Sequence, residues 1–192
     1  MRLRRKWPSS IATAILSTAL TLAIPSVSVS QAEISEYEVK AAYLFNFAKF
    51  VEWPPQALAR DSTTFNICLL GDPFEGALEK IVEGEVLDGR RLAVRHVRGG
   101  EDLQGCQILY VPASEARAPR LFAGLSRQPV LTVGETDNFL SNGGIVRFVQ
   151  VAGRIRFQIN PGAAERASLK LSSKLLRLAM IVRVAEPPGA MR

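Results

Sequence analysis

The hydrophobic pattern changes period several times along the chain, and each change marks an element. From Glu33 to Trp53 apolar residues recur at helical spacing. Tyr37, Ala41, Leu44, Ala48 and Val51 form one row, Val39, Tyr43, Phe47 and Phe50 a second, and Phe45 lies off both. A helix apolar around most of its circumference is either buried on several sides or carries a partner surface. Trp53-Pro54-Pro55 ends it, because a residue before proline avoids the helical region and proline has no backbone N–H to donate. The period then shortens. Phe65 to Gly71 is a nearly unbroken apolar run, the pattern of a strand covered on both faces. Asp72 is placed to cap a following helix, with Pro73 at its first position, running to about Val82. Val86 to Val97 reads as strand pieces around an Asp88-Gly89 turn. Gln107 to Val111 and Pro129 to Val133 are two more short buried strands. Between them Ser114 caps a helix reaching about Leu125, delayed or kinked by Pro119. Glu135 to Gly144 is a loop rich in Asn, Gly and Ser, and Ile145–Val151 with Arg154–Ile159 makes a hairpin through Ala152-Gly153. Asn160 and Pro161 then open a last helix, as cap and first residue, that continues to about Val182.

Strand, helix, strand, helix, strand in that order predicts an α/β fold. The expected architecture is a three-layer sandwich with a mostly parallel central sheet and an antiparallel C-terminal hairpin. The first residues do not belong to it. Met1 to Ser10 is basic, Ile11 to Ile24 is an apolar run of fourteen residues, and Pro25 leads into a small, polar stretch. Ser30 and Ala32 fit a signal-peptidase site before Glu33. Fourteen residues fall short of the ~20 that span a bilayer as a helix. The expectation is therefore a cleaved signal peptide over 1–32, one domain over 33–185, and a flexible tail over 186–192. The mature chain would be soluble and periplasmic.

Composition changes this picture little, and charge more. With 47% apolar and 22% charged residues the chain is neither disordered, collagen-like nor a multi-pass membrane protein. The net charge of +6 comes from 24 Lys and Arg against 18 Asp and Glu. Residues 1–32 hold four of the basic side chains and no acidic one, which leaves 20 against 18, a net +2. The basic pI is partly an export feature, and no nucleic-acid partner is expected.

Little catalytic chemistry is on offer. His96 is the single histidine, no serine sits in a GxSxG elbow, and two cysteines with one histidine fall short of a zinc ligand set. Gly71 to Gly76 has the glycine separation of a P-loop but lacks the following Lys-Ser/Thr. No enzyme, no cofactor and no metal site is expected. In an oxidising compartment Cys68 and Cys106 pair as a disulfide or remain two buried thiols. The last helix carries a core stripe, Leu171, Leu175, Leu178 and Val182, and a basic stripe, Arg166, Lys170, Lys174 and Arg177. The basic stripe is either a solvated face or a contact for an acidic partner or anionic lipid headgroups. Phe45, Phe47, Phe50 and Trp53 on the first helix are either core or a partner hot spot. A doubly wound sheet binds ligands beyond the carboxyl ends of its strands, so Asp72, Ser114 and Glu135 form an alternative small-ligand site.

Five blocks, in order, resemble the YfiR family of bacterial periplasmic regulators. They are Tyr37 to Pro54 (YEVKAAYLFNFAKFVEWP), Ile67 to Phe74 (ICLLGDPF), Cys106 to Tyr110 (CQILY), Gly143 to Val146 (GGIV), and Arg156 to Asn160 (RFQIN) running into Leu171 to Leu176 (LSSKLL). The resemblance implies a non-enzymatic α/β sandwich that represses an inner-membrane diguanylate cyclase (YfiN-like) by binding its periplasmic domain. An outer-membrane lipoprotein (YfiB-like) would release that repression, and the output would be cyclic-di-GMP and biofilm. It implies a Cys68–Cys106 disulfide, whereas a second cysteine pair of the family's namesake has no counterpart here. Some members stand beside sensor kinases, which keeps a ligand-sensing role as the alternative. The resemblance also leaves room for a homodimer.

Overall fold

The computed structural model describes residues 35–58, 62–98, 103–115, 124–125 and 127–184. The expected signal peptide and the tail over 186–192 lie outside these residues, as does most of the helix expected after Ser114. Of that helix, Ala113–Glu115 form a single 3-10 turn.

Ser35 starts the first element with a capping box. Its hydroxyl accepts the Glu38 amide at 3.2 Å, and the Glu38 carboxylate accepts the Ser35 amide at 2.8 Å. Helix α1 runs over Glu36–Phe50, three residues short of the expected end. Val51 is extended, and Val51–Glu52 form strand β1 instead. The reason is a partner: β1 pairs antiparallel with strand β9, Lys170–Leu171, in the register Val51↔Leu171 and Glu52↔Lys170.

The main sheet follows. Its strands are β2 (Thr64–Leu70), β3 (Val86–Leu87), β4 (Arg90–Val97), β5 (Cys106–Val111), β6 (Leu131–Gly134), β7 (Val146–Val151), β8 (Arg154–Ile159) and β10 (Met180–Ile181). Their order across the sheet is β10-β8-β7-β6-β5-β2-β4-β3. The β3–β4 and β7–β8 neighbours are antiparallel hairpins, and the other five pairings are parallel. The chain is thus an α/β sandwich with a mostly parallel sheet. Both faces are covered, because strand residues alternate between two buried clusters. On β2, Phe65, Ile67 and Leu69 join the cluster under α1 and α2 (Ala77–Val82), whereas Cys68 and Leu70 join the opposite one with Leu109, Leu125 and Phe139. A disulfide links Cys68 to Cys106 on that second face, with a Cα separation of 5.8 Å.

A register shift interrupts the β2–β5 ladder between Asn66 and Ile67. The buried Gln107 side chain repairs the gap. Its Oε1 accepts the Asn66 amide and its Nε2 donates to the Ala57 carbonyl, both at 2.7 Å.

Two expected helices are corrected. Asp72 does not cap α2, which begins at Ala77, because Glu75 and Gly76 take left-handed φ values of 49° and 79°. The single last helix is two short ones, α3 (Pro161–Arg166) and α4 (Ser173–Leu178), with β9 between them. Ser168 is left-handed with φ 58°. Its amide bonds Glu165 O, and the Leu169 amide reaches back to Ala164 O, both at 2.9 Å. This pattern closes the C-terminus of α3. Ser172 then caps α4 by accepting the Leu175 amide at 3.2 Å. The Leu171, Leu175, Leu178, Val182 spacing persists through this break and conceals it.

Candidate functional site

The two groups of residues singled out as a partner surface come from opposite ends of the domain sequence, and the structure brings the end of α1 beside Lys170. The agent is the β1–β9 pairing at the end of α1, reinforced by the Ser172 amide donating to the Phe50 carbonyl at 3.0 Å. On one side of this corner stand Phe50 and Trp53, each half-buried; on the other stand Lys170, Lys174 and Arg177, each exposed. Phe45, also half-buried, lies more than a turn earlier on α1 and on another flank, where Lys49 pairs with Glu85. The Lys49 ammonium sits 3.8 Å over the Phe45 ring. Trp53 packs edge-on against Phe65 at 5.2 Å and donates its indole N–H to the Ala48 carbonyl at 3.4 Å. Its position is therefore fixed while part of its surface stays open.

Phe47 is different. It is 0% exposed and packs among Tyr43, Phe148 and Phe157. It is core, because the α1 face that carries Leu44 and Phe47 lies on the sheet. The basic stripe is also redistributed. Arg166 lies on α3, Lys170 on β9, and Lys174 with Arg177 on α4, so no continuous helical stripe exists.

The alternative trio Asp72, Ser114 and Glu135 splits by surroundings. Asp72 and Ser114 are exposed, and Glu135 has other partners. Its carboxylate takes the Lys40 ammonium at 2.6 Å and accepts the Tyr110 hydroxyl. Lys40 also pairs with Glu36 at 2.5 Å, one helical turn back. Only 5% of Lys40 is exposed, so its charge depends on these carboxylates. Burial pulls the Lys40 pKa down, but the bonds and charges of Glu135 and Glu36 more than reverse this and the net shift is up. Burial, then the Glu135 carboxylate, drives the Tyr110 phenol far upward. Both shifts favour the protonated forms, an ammonium on Lys40 and a donating hydroxyl on Tyr110. An open cleft of about 260 Å³ borders the cluster, lined also by Arg147 and Gln150.

Lys40 escaped notice in the sequence, although a signal existed. It precedes Leu44 by four residues and Phe47 by seven, on the face that turns inward, and Glu36 precedes it by four.

His96 is likewise occupied. Its Nδ1 lies 2.8 Å from the Gly71 carbonyl and its Nε2 2.6 Å from the Glu79 carboxylate. Both neighbours are acceptors, so the doubly protonated ring satisfies both. The Gly71 carbonyl raises the His96 pKa, partial burial opposes it, and Glu79 and Asp72 add to the rise. Among the described residues no group of three or more His, Cys, Asp or Glu could hold a metal ion, and no helix is long and apolar enough to cross a membrane.

No curated protein matches the chain significantly. A family profile does match, described as DUF4154, YfiR/HmsC-like, over residues 37–180. The match spans α1 through the first residue of β10, and so includes both halves of the corner. This is a regulatory, non-catalytic family of cyclic-di-GMP signalling. The chain belongs to the YfiR/HmsC-like family.

Proposed function

We propose that the chain is an exported repressor of a membrane-bound diguanylate cyclase, acting by binding the cyclase's periplasmic domain. The observation that supports this reading is the corner where α1, β9 and α4 meet. There half-exposed aromatics, Phe50 and Trp53, stand beside exposed cations, Lys170, Lys174 and Arg177. Large aromatics framed by charge form the usual centre of a binding hot spot. A YfiB-like lipoprotein competing for this surface would lift the repression.

The test is cyclic-di-GMP in cells lacking the gene. Deletion should raise it, and the wild-type chain should restore it. Phe50→Ala and the pair Lys174→Glu with Arg177→Glu should fail to restore it while keeping an unchanged melting temperature. Full complementation by both variants would remove the corner from the mechanism. No change on deletion would remove the cyclase.

The second reading is a ligand-sensing domain working with a sensor kinase. The open cleft beside Glu36, Lys40 and Glu135 favours it. A thermal-shift screen against a metabolite panel separates the two readings, since a hit that Glu135→Gln abolishes would favour the sensor.

A further inference from the structure

The main sheet ends at β10, beyond which no described strand pairs. Ile181 stands opposite Ile159 in the parallel β10–β8 ladder, and the Val182 amide donates to Ile159 O at 2.8 Å. In such a ladder the flanking residues bond inward, so the N–H and C=O of Ile181 point to the open side. The side chains at this edge are apolar and exposed: Leu178 64%, Met180 45% and Ile181 43%. Met180 and Ile181 are consecutive in a strand and face opposite sides of the sheet. A flat partner or a lipid surface covers one side of a sheet. An added strand covers both and also takes up the Ile181 backbone groups.

The charge at the edge narrows the occupant. In sequence Lys174, Arg177 and Arg183 flank it and are exposed, and no acidic residue occurs between Glu165 and Glu186. A second copy pairing β10 with β10 across a two-fold axis would bring these cations face to face. We propose that the open edge of β10 is a strand-addition site for an extended, acidic segment of a partner protein. Lys174 and Arg177 belong to the corner as well, so the inference deepens the partner-binding reading and rests on it for the partner's role. It does not rest on the partner being a cyclase.

The experiment uses the purified full-length mature chain and a labelled, acetylated peptide of alternating Thr and Val with Glu at both ends. The control carries Lys at both ends. The acidic peptide should bind about tenfold more tightly than the basic one, and Arg177→Glu with Arg183→Glu should reverse the preference. Ile181→Pro removes the outward N–H at an edge position where proline is tolerated, so binding should be lost with the melt unchanged. Should that variant unfold, N-methylation of the peptide's amides tests the same backbone bonds on the intact protein. Equal affinity for both peptides, indifference to N-methylation, or no binding at millimolar concentration overturns the proposal. So does self-association, or partition onto phosphatidylglycerol vesicles, if Ile181→Pro abolishes it. None of these outcomes depends on repression in cells, so this proposal and the cyclase reading fail separately.

Discussion

At one margin of the main sheet β3 folds back on β4 through Asp88 and Gly89, whose φ values of 50° and 77° are both left-handed. At the other, β10 lies beside β8 in parallel, delivered there by α3, β9 and α4. Both margins are two residues long, and both expose apolar side chains, Val86 at 57% in the first and Met180 and Ile181 in the second. The β3 margin is mixed in charge, with Glu83, Glu85 and Asp88 around it and Arg90 and Arg91 as its ladder partners, whereas the residues around β10 in sequence are basic. The first margin is made locally: a two-residue turn of Asp and Gly matches the strand twist and places β3. The second depends on two helix boundaries and on contacts distant in sequence. Margins of the same length can therefore differ in what holds them.

The largest perturbation should affect both margins alike. The Cys68–Cys106 bridge lies between β2 and β5 and closes a 38-residue separation. On a loop-entropy argument its loss costs about 4 kcal/mol. Chemical unfolding with and without reductant should show one shifted transition, whereas two transitions would mean that the margins unfold separately. Smaller changes should separate the margins. Gly89→Val forces a branched residue into a left-handed position and should cost about 1–2 kcal/mol. Ser172→Ala removes a cap and should cost about 1 kcal/mol. Hydrogen exchange should accelerate at β3 in the first variant and at β10 in the second. Acceleration at both margins in either variant would break the distinction.

The smallest effect concerns pH and belongs to the β3 side. His96 of β4 bonds Gly71 and Glu79, and its pKa is raised above 6.5. The stabilisation is full below the unfolded value of 6.5 and fades as pH rises through the folded one. The ring is nearly half open to solvent, so the effect is modest. The melting temperature should fall slightly from pH 5.5 to 8.5, and His96→Gln should flatten that slope. An unchanged slope in the variant would assign it elsewhere.

The same contrast explains what could be read from the sequence. Elements fixed by local chemistry were legible: the α1 periodicity, the Asp88-Gly89 and Ala152-Gly153 hairpins, and the continuous apolar run of β2. The break in the last helix was not, because Leu171, Leu175, Leu178 and Val182 keep helical spacing across it. Only Ser168 and the Ser172-Ser173 pair hinted at a stop and a restart. The helix expected at Pro73 failed for a similar reason, since a good cap at Asp72 is overruled by two left-handed residues downstream. In the site, composition identified the aromatics and the cations, but their meeting depends on a pairing between residues far apart in sequence. Phe47 could not be told from its exposed neighbours, because aromatic character does not reveal which helix face turns inward. Lys40 was passed over because lysines are seldom buried.

That distant pairing has a kinetic consequence. A chain is made N-terminus first, so Val51 exists long before Leu171 does. The aromatic half of the corner must wait, unpaired, until almost the whole domain has been synthesised. Contacts of such long sequence separation form late and with the greatest loss of chain entropy. A product truncated before β9 would carry the aromatics without the strand that positions them and without the cations beside them. The corner is thus a mark of completed synthesis, and only a finished molecule can present it.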